Sequence, residues 1–199
     1  MSSAAPRSDG PMSLLFDVWL LSGLSVGYLD DVLAGSGLSG NDFGLYSLLG
    51  AFGPATPTQI HRWTGWPTTT VSAHLGRVDQ RGHLERQPNP NDGRSLLVAL
   101  APDGTAALRQ ATGPFLAAMH ELRPRFVPDT LRERLVLQDL DRILRDVTGL
   151  DSRPYTVDPH DGGPATAHTL TYLGPELTPE QQDEARRYID FLRLQPERT

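Results

Sequence analysis

The outer face of residues 68–80 carries small and hydroxyl side chains and one arginine. At helical spacing these are Thr69, Ser72, Ala73, Gly76 and Arg77. The opposite face is apolar, with Val71, Leu75 and Val78 at i, i+4 and i+7. Long charged side chains usually cover the outer face of a surface helix, whereas small ones let another molecule approach the backbone closely. Hydroxyl and guanidinium groups in such a place can hydrogen-bond to base edges and to phosphate.

Two helix signals separated by a short turn position this face. Thr56 and Gln59 form a capping box that begins a first helix, and Gly65 ends it. Pro67 suits the first position of a second helix, which runs to about residue 81 before Gly82. Two helices joined by a short glycine turn, the second with a small polar outer face, indicate a helix-turn-helix whose second helix is the recognition helix.

A β-hairpin is predicted directly after the second helix. Its strands are residues 83–87 and 95–100, and the segment Asn91-Asp92-Gly93-Arg94 is a strong turn signal between them. Two prolines stiffen the approach to the tip, where Arg94 lies. A hairpin at this place beside a helix-turn-helix is a wing, and it makes the nucleic-acid interpretation much more specific than the two helices alone.

Short motifs throughout this region carry a family resemblance. They are T-V-S (70–72), G-R-V (76–78), R-G (81–82), L-E-R (84–86), D-G-R-S (92–95) and L-A-P-D-G (100–104). Together they resemble the winged-helix core of MarR-type transcriptional regulators, and the resemblance covers roughly residues 13–148. The sequence departs from the family at His61 and His74, where a small or aliphatic residue is usual. Gly76 stands where an acidic residue is common, and Ala101 replaces the usual hydroxyl cap.

The expected fold is mainly α with a small β-hairpin wing, that is, a winged helix-turn-helix plus a helical dimerisation layer. The resemblance implies a sequence-specific DNA-binding transcriptional regulator that acts as a homodimer on a pseudo-palindromic operator in double-stranded DNA. The candidate DNA-binding residues are Thr68, Thr69, Thr70, Ser72, Ala73, Arg77, Asn91, Asp92, Arg94 and Ser95.

These residues are expected to have different roles. The small and hydroxyl residues from 68 to 73 would lie near base edges or thymine methyl groups in the major groove, and Arg77 would reach phosphate. Arg94 is placed for the minor groove. Asp92 has two open interpretations, which are compatible with each other: it aims the guanidinium of Arg94, or it stabilises the turn.

The remainder of the chain predicts helices on both sides of the winged core. The expected divisions are a disordered tail at 1–12, a MarR-like domain at 13–148 and a C-terminal extension at 149–199 with a linker and a terminal helix. Within the domain, the DNA-binding lobe is about 38–101, and the dimerisation helices are about 13–34 and 102–148. Residues 13–33 are apolar on more than one side, which favours a second subunit as partner. A purely intrachain helical core is the alternative.

Three details of these helices are specific enough to check. Asn41 or Asp42 is expected to cap a helix that ends near Ala51. A helix beginning at Pro102 is expected to be kinked or broken at Gly113-Pro114. A last helix is predicted from about residue 128 to 147.

Composition limits the possible functions. The chain of 199 residues has a net charge of −6 and no cysteine, which excludes disulfides and thiolate sites. Residues 56–95 nevertheless hold five arginines against three carboxylates, so a basic working face is attached to an acidic body. No uninterrupted apolar run of membrane-spanning length and no signal-peptide layout are present, so no membrane partner and a cytoplasmic location are expected.

Enzymatic chemistry has little support. The histidines show no paired helical spacing, so no metal and no other cofactor are expected; they are His61, His74, His83, His120, His160 and His168. The resemblance adds a small lipophilic or aromatic effector, with Trp19, Phe43 and Tyr46 as candidate pocket residues, although these aromatics also suit a plain core. A winged helix used as a protein-interaction module without specific DNA binding, and a ligand carrier with vestigial DNA binding, are the competing hypotheses.

Overall fold

A winged helix-turn-helix lies between longer helices. The structure is a computed structural model that describes residues 11–125, 130–151 and 153–154. In chain order its elements are α1 (Pro11–Leu33), α2 (Gly40–Phe52), α3 (Pro57–Thr64), α4 (Thr68–Gln80), β1 (Leu84–Pro88), β2 (Leu96–Leu100), α5 (Pro102–Leu122) and α6 (Thr130–Thr148), with short 3-10 turns at Ala34–Ser36 and Arg123–Arg125. The predicted fold class is confirmed.

Local sequence signals explain the helix-turn-helix. The Thr56 hydroxyl accepts a hydrogen bond from the backbone N–H of Gln59 at 3.1 Å, and the Gln59 side chain accepts one from the backbone N–H of Thr56 at 2.8 Å. This is the predicted capping box. Gly65 ends α3 with a φ of 71°, a left-handed conformation that favours glycine. Pro67 was predicted to be the first residue of the second helix. Its backbone is extended, so it is instead the N-cap residue, and α4 begins at Thr68.

The N-terminus of α2 differs from its prediction. Ser39, not Asn41 or Asp42, is the N-cap residue, and its hydroxyl accepts a hydrogen bond from the backbone N–H of Asp42 at 3.1 Å. The helix therefore begins at Gly40, and it ends one residue after the predicted Ala51. Asp42 consequently lies inside the first turn, where its side chain is buried instead of capping the helix.

The hairpin is antiparallel, with Leu84 opposite Leu100 and Pro88 opposite Leu96. Each strand begins one residue later than predicted. Ala55, just before α3, exchanges two backbone hydrogen bonds with Val98 at 3.0 and 2.8 Å. This bridge ties the base of the wing to the start of the helix-turn-helix, so both move as one unit.

The core lies between α2, the helix-turn-helix, β2 and α5. Fully buried side chains from these elements fill it; the largest are Tyr46, Leu45, Ile60, Val71, Val78 and Val98. Phe43 of α2 contacts Phe115 of α5, with ring centroids 4.9 Å apart. Helix α5 continues through Pro114, so it is not broken there, and the kink that was the other expectation stays a prediction. Packing of Phe115 on the core holds the helix together across the hydrogen bond that proline cannot make.

Helices α1 and α6 expose many apolar side chains. On α1, Trp19 is 68% exposed and Leu24 is 73% exposed, and on α6 Val147 is 80% exposed. So many large exposed apolar side chains on these helices favour a surface that binds a partner. Although α1 is long and apolar, none of the described helices meets the length and hydropathy needed to cross a membrane.

Some predictions concern residues outside the described part of the chain. The tail prediction for residues 1–12 falls on such residues up to position 10, whereas Pro11 and Met12 begin α1. Of the extension predicted at 149–199, the structure describes residues 149–151 and 153–154, and the rest of the linker and the terminal helix lie outside the described part. The division of the chain into a core domain and an extension therefore stays a prediction. The described part of α6 starts at Thr130 and ends one residue after the predicted end.

Candidate nucleic-acid interface

The outer face of α4 is exposed as predicted from its spacing. Thr68, Thr69, Ser72 and Ala73 are exposed, and Thr70 is half-buried. The apolar stripe on the other side is buried in the core, with Val71, Leu75 and Val78 no more than 4% exposed. A Cβ added at Gly76 would meet no atom within 4 Å, so this face is open to an approaching molecule.

The hairpin tip has a well-defined turn. Asn91, Asp92 and Arg94 are exposed there, and Ser95 is half-buried. The Asp92 carboxylate accepts a hydrogen bond from the backbone N–H of Arg94 at 3.1 Å, and the Asp92 carbonyl accepts one from the backbone N–H of Ser95 at 3.1 Å. Asn89 donates to the Ser95 hydroxyl at 2.8 Å. Asp92 thus stabilises the backbone that carries Arg94, which is its turn role.

Arg77 belongs to a polar network that joins α4 to α2. Its Nη2 donates to His74 Nδ1 at 2.7 Å and lies 3.9 Å from Asp42 Oδ1. His74 Nδ1 lies 3.1 Å from the same carboxylate oxygen. Arg81 Nη1 donates to Asp42 Oδ2 at 2.9 Å. The Asp42 carboxylate on α2 is therefore shared by three side chains, those of His74 and Arg77 on α4 and that of Arg81 directly after it.

The carboxylate of Asp42 is only 3% exposed and remains ionised because of these partners. Burial alone would raise its pKa, but hydrogen bonds from His74 and Arg81 outweigh burial and lower the pKa of Asp42 below its ordinary value. Hydrogen bonds with Tyr46 and Asp42 raise the pKa of Arg81. The pair is thus charged at neutral pH, and it fixes the recognition helix on the body of the domain.

Two aromatic side chains extend this network. The ring of Trp66 stacks on His74 at a centroid distance of 4.6 Å and an angle of 22°. The Tyr46 hydroxyl lies 3.0 Å from His83 Nδ1, at the start of the wing. Burial raises the pKa of Tyr46, so its hydroxyl stays protonated. The network therefore reaches from α2 through α4 to the hairpin.

This network was not predicted from the sequence. His74 falls on the apolar stripe of α4 together with Val71, Leu75 and Val78, and Asp42 is the one acidic residue of the otherwise uncharged α2. The sequence did contain a signal for it: each of two helices has an ionisable residue on its inner face, and buried polar groups need partners. Because the two residues are 32 positions apart, the sequence did not show that they pair with each other.

A second polar cluster fastens α6 to the end of α3. The Arg145 guanidinium donates to the backbone carbonyls of Arg62 and Trp63, both at 2.6 Å, and to the Asp141 carboxylate at 2.9 Å. Carbonyls in the last turn of a helix have no partner within it, so a cation is favourable at this position. Asp151 also pairs with Arg62 at 3.0 Å.

This cluster leads to a first prediction. Replacing Arg145 by alanine is expected to lower the free energy of unfolding by roughly 1–2 kcal/mol, because two carbonyls of α3 lose a charged donor. Urea denaturation followed by circular dichroism measures the change. Arg142→Ala on the same helix is the matched control, since Arg142 is 72% exposed and pairs with Asp139 at the surface. Equal effects of the two substitutions would contradict the assigned role of Arg145.

The three predicted pocket residues have different environments. Trp19 is exposed on α1, while Phe43 and Tyr46 are buried in the core at 3% and 0% exposure. A cleft of about 300 Å³ lies elsewhere, between α2, the end of α3 and α6. Its lining includes Leu48, Trp63, Trp66 and Arg145. Among the described residues, no group of three or more histidine and carboxylate side chains is arranged to hold a metal ion.

Comparison with known proteins agrees with this geometry. A family model described as "MarR family" matches residues 36–95. The multiple antibiotic resistance protein MarR of Salmonella typhimurium is 30% identical over 82 residues, which are 41% of this chain and 57% of that protein. The chain thus spans little more than half the length of the curated relatives it matches.

Solved structures show the same fold over a longer part of the chain. A cysteine-to-serine mutant of MarR from E. coli, complexed with operator DNA, has a TM-score of 0.57 and 21% identity, and the match covers 72% of this chain and 99% of that one. The M. tuberculosis transcriptional regulator MOSR in complex with DNA has a TM-score of 0.59 and 20% identity, with coverage of 67% and 96%. At these identities the similarity shows the fold.

Proposed function

Because residues 36–95 match a MarR family model, we propose that the chain is a MarR-type, sequence-specific DNA-binding transcriptional regulator acting as a homodimer. The observation that carries the proposal is the exposed, small-residue face of α4 beside a hairpin tip that presents Arg94. Both belong to one rigid lobe, since Ala55 and Val98 tie the wing to the helix-turn-helix. A recognition helix and a wing on one lobe suit adjacent grooves of a duplex.

In this proposal, α4 enters the major groove and its exposed face from Thr68 to Ala73 meets base edges. Arg77 contacts phosphate, and Arg94 enters the minor groove, where a narrow groove attracts a guanidinium. Two such lobes in a dimer read the two halves of a pseudo-palindromic operator. The local excess of arginine in residues 56–95 favours this face for DNA over the acidic remainder of the chain.

The dimer in this proposal is held by the terminal helices. The apolar side chains exposed on α1 and α6 supply the contact area. A regulator of this kind works in the cytoplasm, where the DNA is accessible. A small lipophilic or aromatic effector would act by shifting the population between two spacings of the DNA-binding lobes.

The two arginines provide the sharpest test. An operator is first selected from a pool of random duplexes with the full-length protein. Arg77→Ala is then expected to weaken operator and scrambled DNA alike and to flatten the salt dependence, because log K changes by roughly 0.9 per phosphate contact for each log unit of salt. Arg94→Ala should cost about 1–3 kcal/mol in a dimer and act more strongly on operator than on scrambled DNA. Titrations at several salt concentrations measure both.

Arg142→Ala is the control for the loss of one positive charge, because Arg142 lies on α6, away from the proposed interface. It should leave both affinities within about twofold. Failure of the wild-type protein to enrich any duplex would refute the proposed function. If Arg94→Ala binds operator like the wild type, the wing assignment is wrong, and the protein-interaction module becomes the better hypothesis.

A further inference from the structure

His74 Nδ1 lies within hydrogen-bonding distance of two groups, one of which is a donor and the other an acceptor. Arg77 Nη2 is 2.7 Å away and Asp42 Oδ1 is 3.1 Å away. A guanidinium can only donate, and a carboxylate can only accept. A neutral imidazole carries one proton: in the Nε2–H tautomer Nδ1 accepts the bond from Arg77, whereas in the Nδ1–H tautomer and in the imidazolium Nδ1 donates to Asp42 and can accept nothing. The two contacts therefore exclude each other.

When Nδ1 carries no proton and accepts the bond from Arg77, it holds the guanidinium in place and uses only one of its N–H groups. The Arg77 side chain is 47% exposed, and one of its five N–H donors is engaged by His74. The remaining donors stay available to a phosphate oxygen. Long flexible side chains lose rotamer freedom when they bind, so a guanidinium that is already aligned binds with a smaller entropy loss.

Protonation of His74 removes this alignment. Arg77 then loses its acceptor and faces a second positive charge at the same short distance. The Asp42 carboxylate accepts the new N–H, and it already accepts a bond from Arg81. His74 contacts Asp42 and Arg77 directly. Arg81 shares the Asp42 carboxylate, Tyr46 and His83 join the network through Arg81, and His61 contacts the carbonyl of Trp66, whose ring stacks on His74.

We propose that His74 is a positioning residue for DNA binding: its neutral imidazole, with the proton on Nε2, aligns Arg77 for a phosphate, and formation of the imidazolium releases Arg77, so that acid weakens the binding of DNA. This inference rests on the proposed function, and it adds a proton-dependent element to it. The expected direction is unusual. Protonation of histidines makes a protein more positive, which by itself strengthens binding to a polyanion.

His74→Asn separates alignment from charge. The asparagine side-chain oxygen can occupy the place of Nδ1 as an acceptor for Arg77, and an amide does not titrate. Wild-type affinity for the selected operator is expected to fall about fivefold to tenfold between pH 7.5 and 5.5, the range in which histidines change charge, which corresponds to about one net hydrogen bond per subunit. His74→Asn should match the wild type at pH 7.5 and lose no affinity at pH 5.5.

Arg77→Ala gives a second test at a side chain that is 47% exposed. It should bind at pH 7.5 as weakly as the wild type does at pH 5.5, with no further loss on acidification. The salt slope of the wild type should also fall at pH 5.5 to that of Arg77→Ala, a change that a purely structural role would not produce. His83→Asn is the matched histidine control and should keep the wild-type pH profile, since His83 contacts Tyr46 and not Arg77.

The outcomes are distinguishable. Circular dichroism selects the pH range in which each variant is folded. Operator binding with parallel pH profiles for the wild type and His74→Asn would overturn this inference alone. An increase in wild-type affinity on acidification would also overturn it. Absence of operator binding by every variant at every pH would refute the proposed function and this inference together.

Discussion

Replacing both Trp19 and Leu24 by glutamate is expected to convert the proposed dimer into a monomer and to lower operator affinity at least roughly a hundredfold. The two side chains are among the most exposed apolar groups of α1, at 68% and 73%. Charges at these positions would have to be buried in an apolar layer without partners, which costs several kcal/mol. A monomer binds one half-site only and loses the gain that two linked lobes provide.

Sedimentation at micromolar concentration measures the first effect, and titration of the selected operator measures the second. The wild type should have twice the chain mass. Gln80→Glu with Gln87→Glu is the matched control for sedimentation, because it adds the same two negative charges at exposed positions outside the predicted dimerisation helices. That variant should remain dimeric. A wild type that sediments as a monomer would contradict the model of two half-sites.

Most of the fold was predictable because its signals are local. The capping box at Thr56 and the left-handed glycines at positions 65 and 82 each involve residues within one or two turns of each other. The apolar stripe of α4 follows from helical period alone. The hairpin likewise follows from a turn signal between two short strands.

The errors were made where tertiary contacts outweigh local preference. Asp42 has a side chain suited to capping, but Ser39 takes that role and the carboxylate instead pairs with α4. Pro114 predicts a kink or a break, and packing of Phe115 on Phe43 keeps α5 continuous, so no break occurs. The candidate interface follows the same rule. Its exposed residues were predicted from spacing, whereas the support of Arg77 by His74 required knowledge of how α2 packs on α4.

Substitution of Asp42 by alanine is expected to lower the free energy of unfolding by roughly 3 kcal/mol at neutral pH, because Arg81 loses its buried partner and a cavity remains. Asp42→Asn should cost less, since the amide oxygen still accepts from Arg81 but carries no charge. Asp139→Asn is the matched control on a carboxylate that is 73% exposed, and it should change stability by less than about 0.5 kcal/mol. Urea denaturation at one fixed protein concentration measures all three, since dimer stability depends on concentration.

The pH dependence identifies the charge of Asp42 as the cause. Its pKa is lower in the folded protein than its ordinary value of 3.8 because His74 and Arg81 stabilise the ionised form against the opposing effect of burial. A carboxylate whose pKa is depressed by folding contributes stability above its unfolded pKa, and this contribution disappears as the pH falls through the folded pKa. The difference between the wild type and Asp42→Asn should therefore persist at neutral pH and shrink below about pH 4. A difference that is unchanged at pH 3 would mean that Asp42 stabilises the domain by shape and hydrogen bonding and not by its charge.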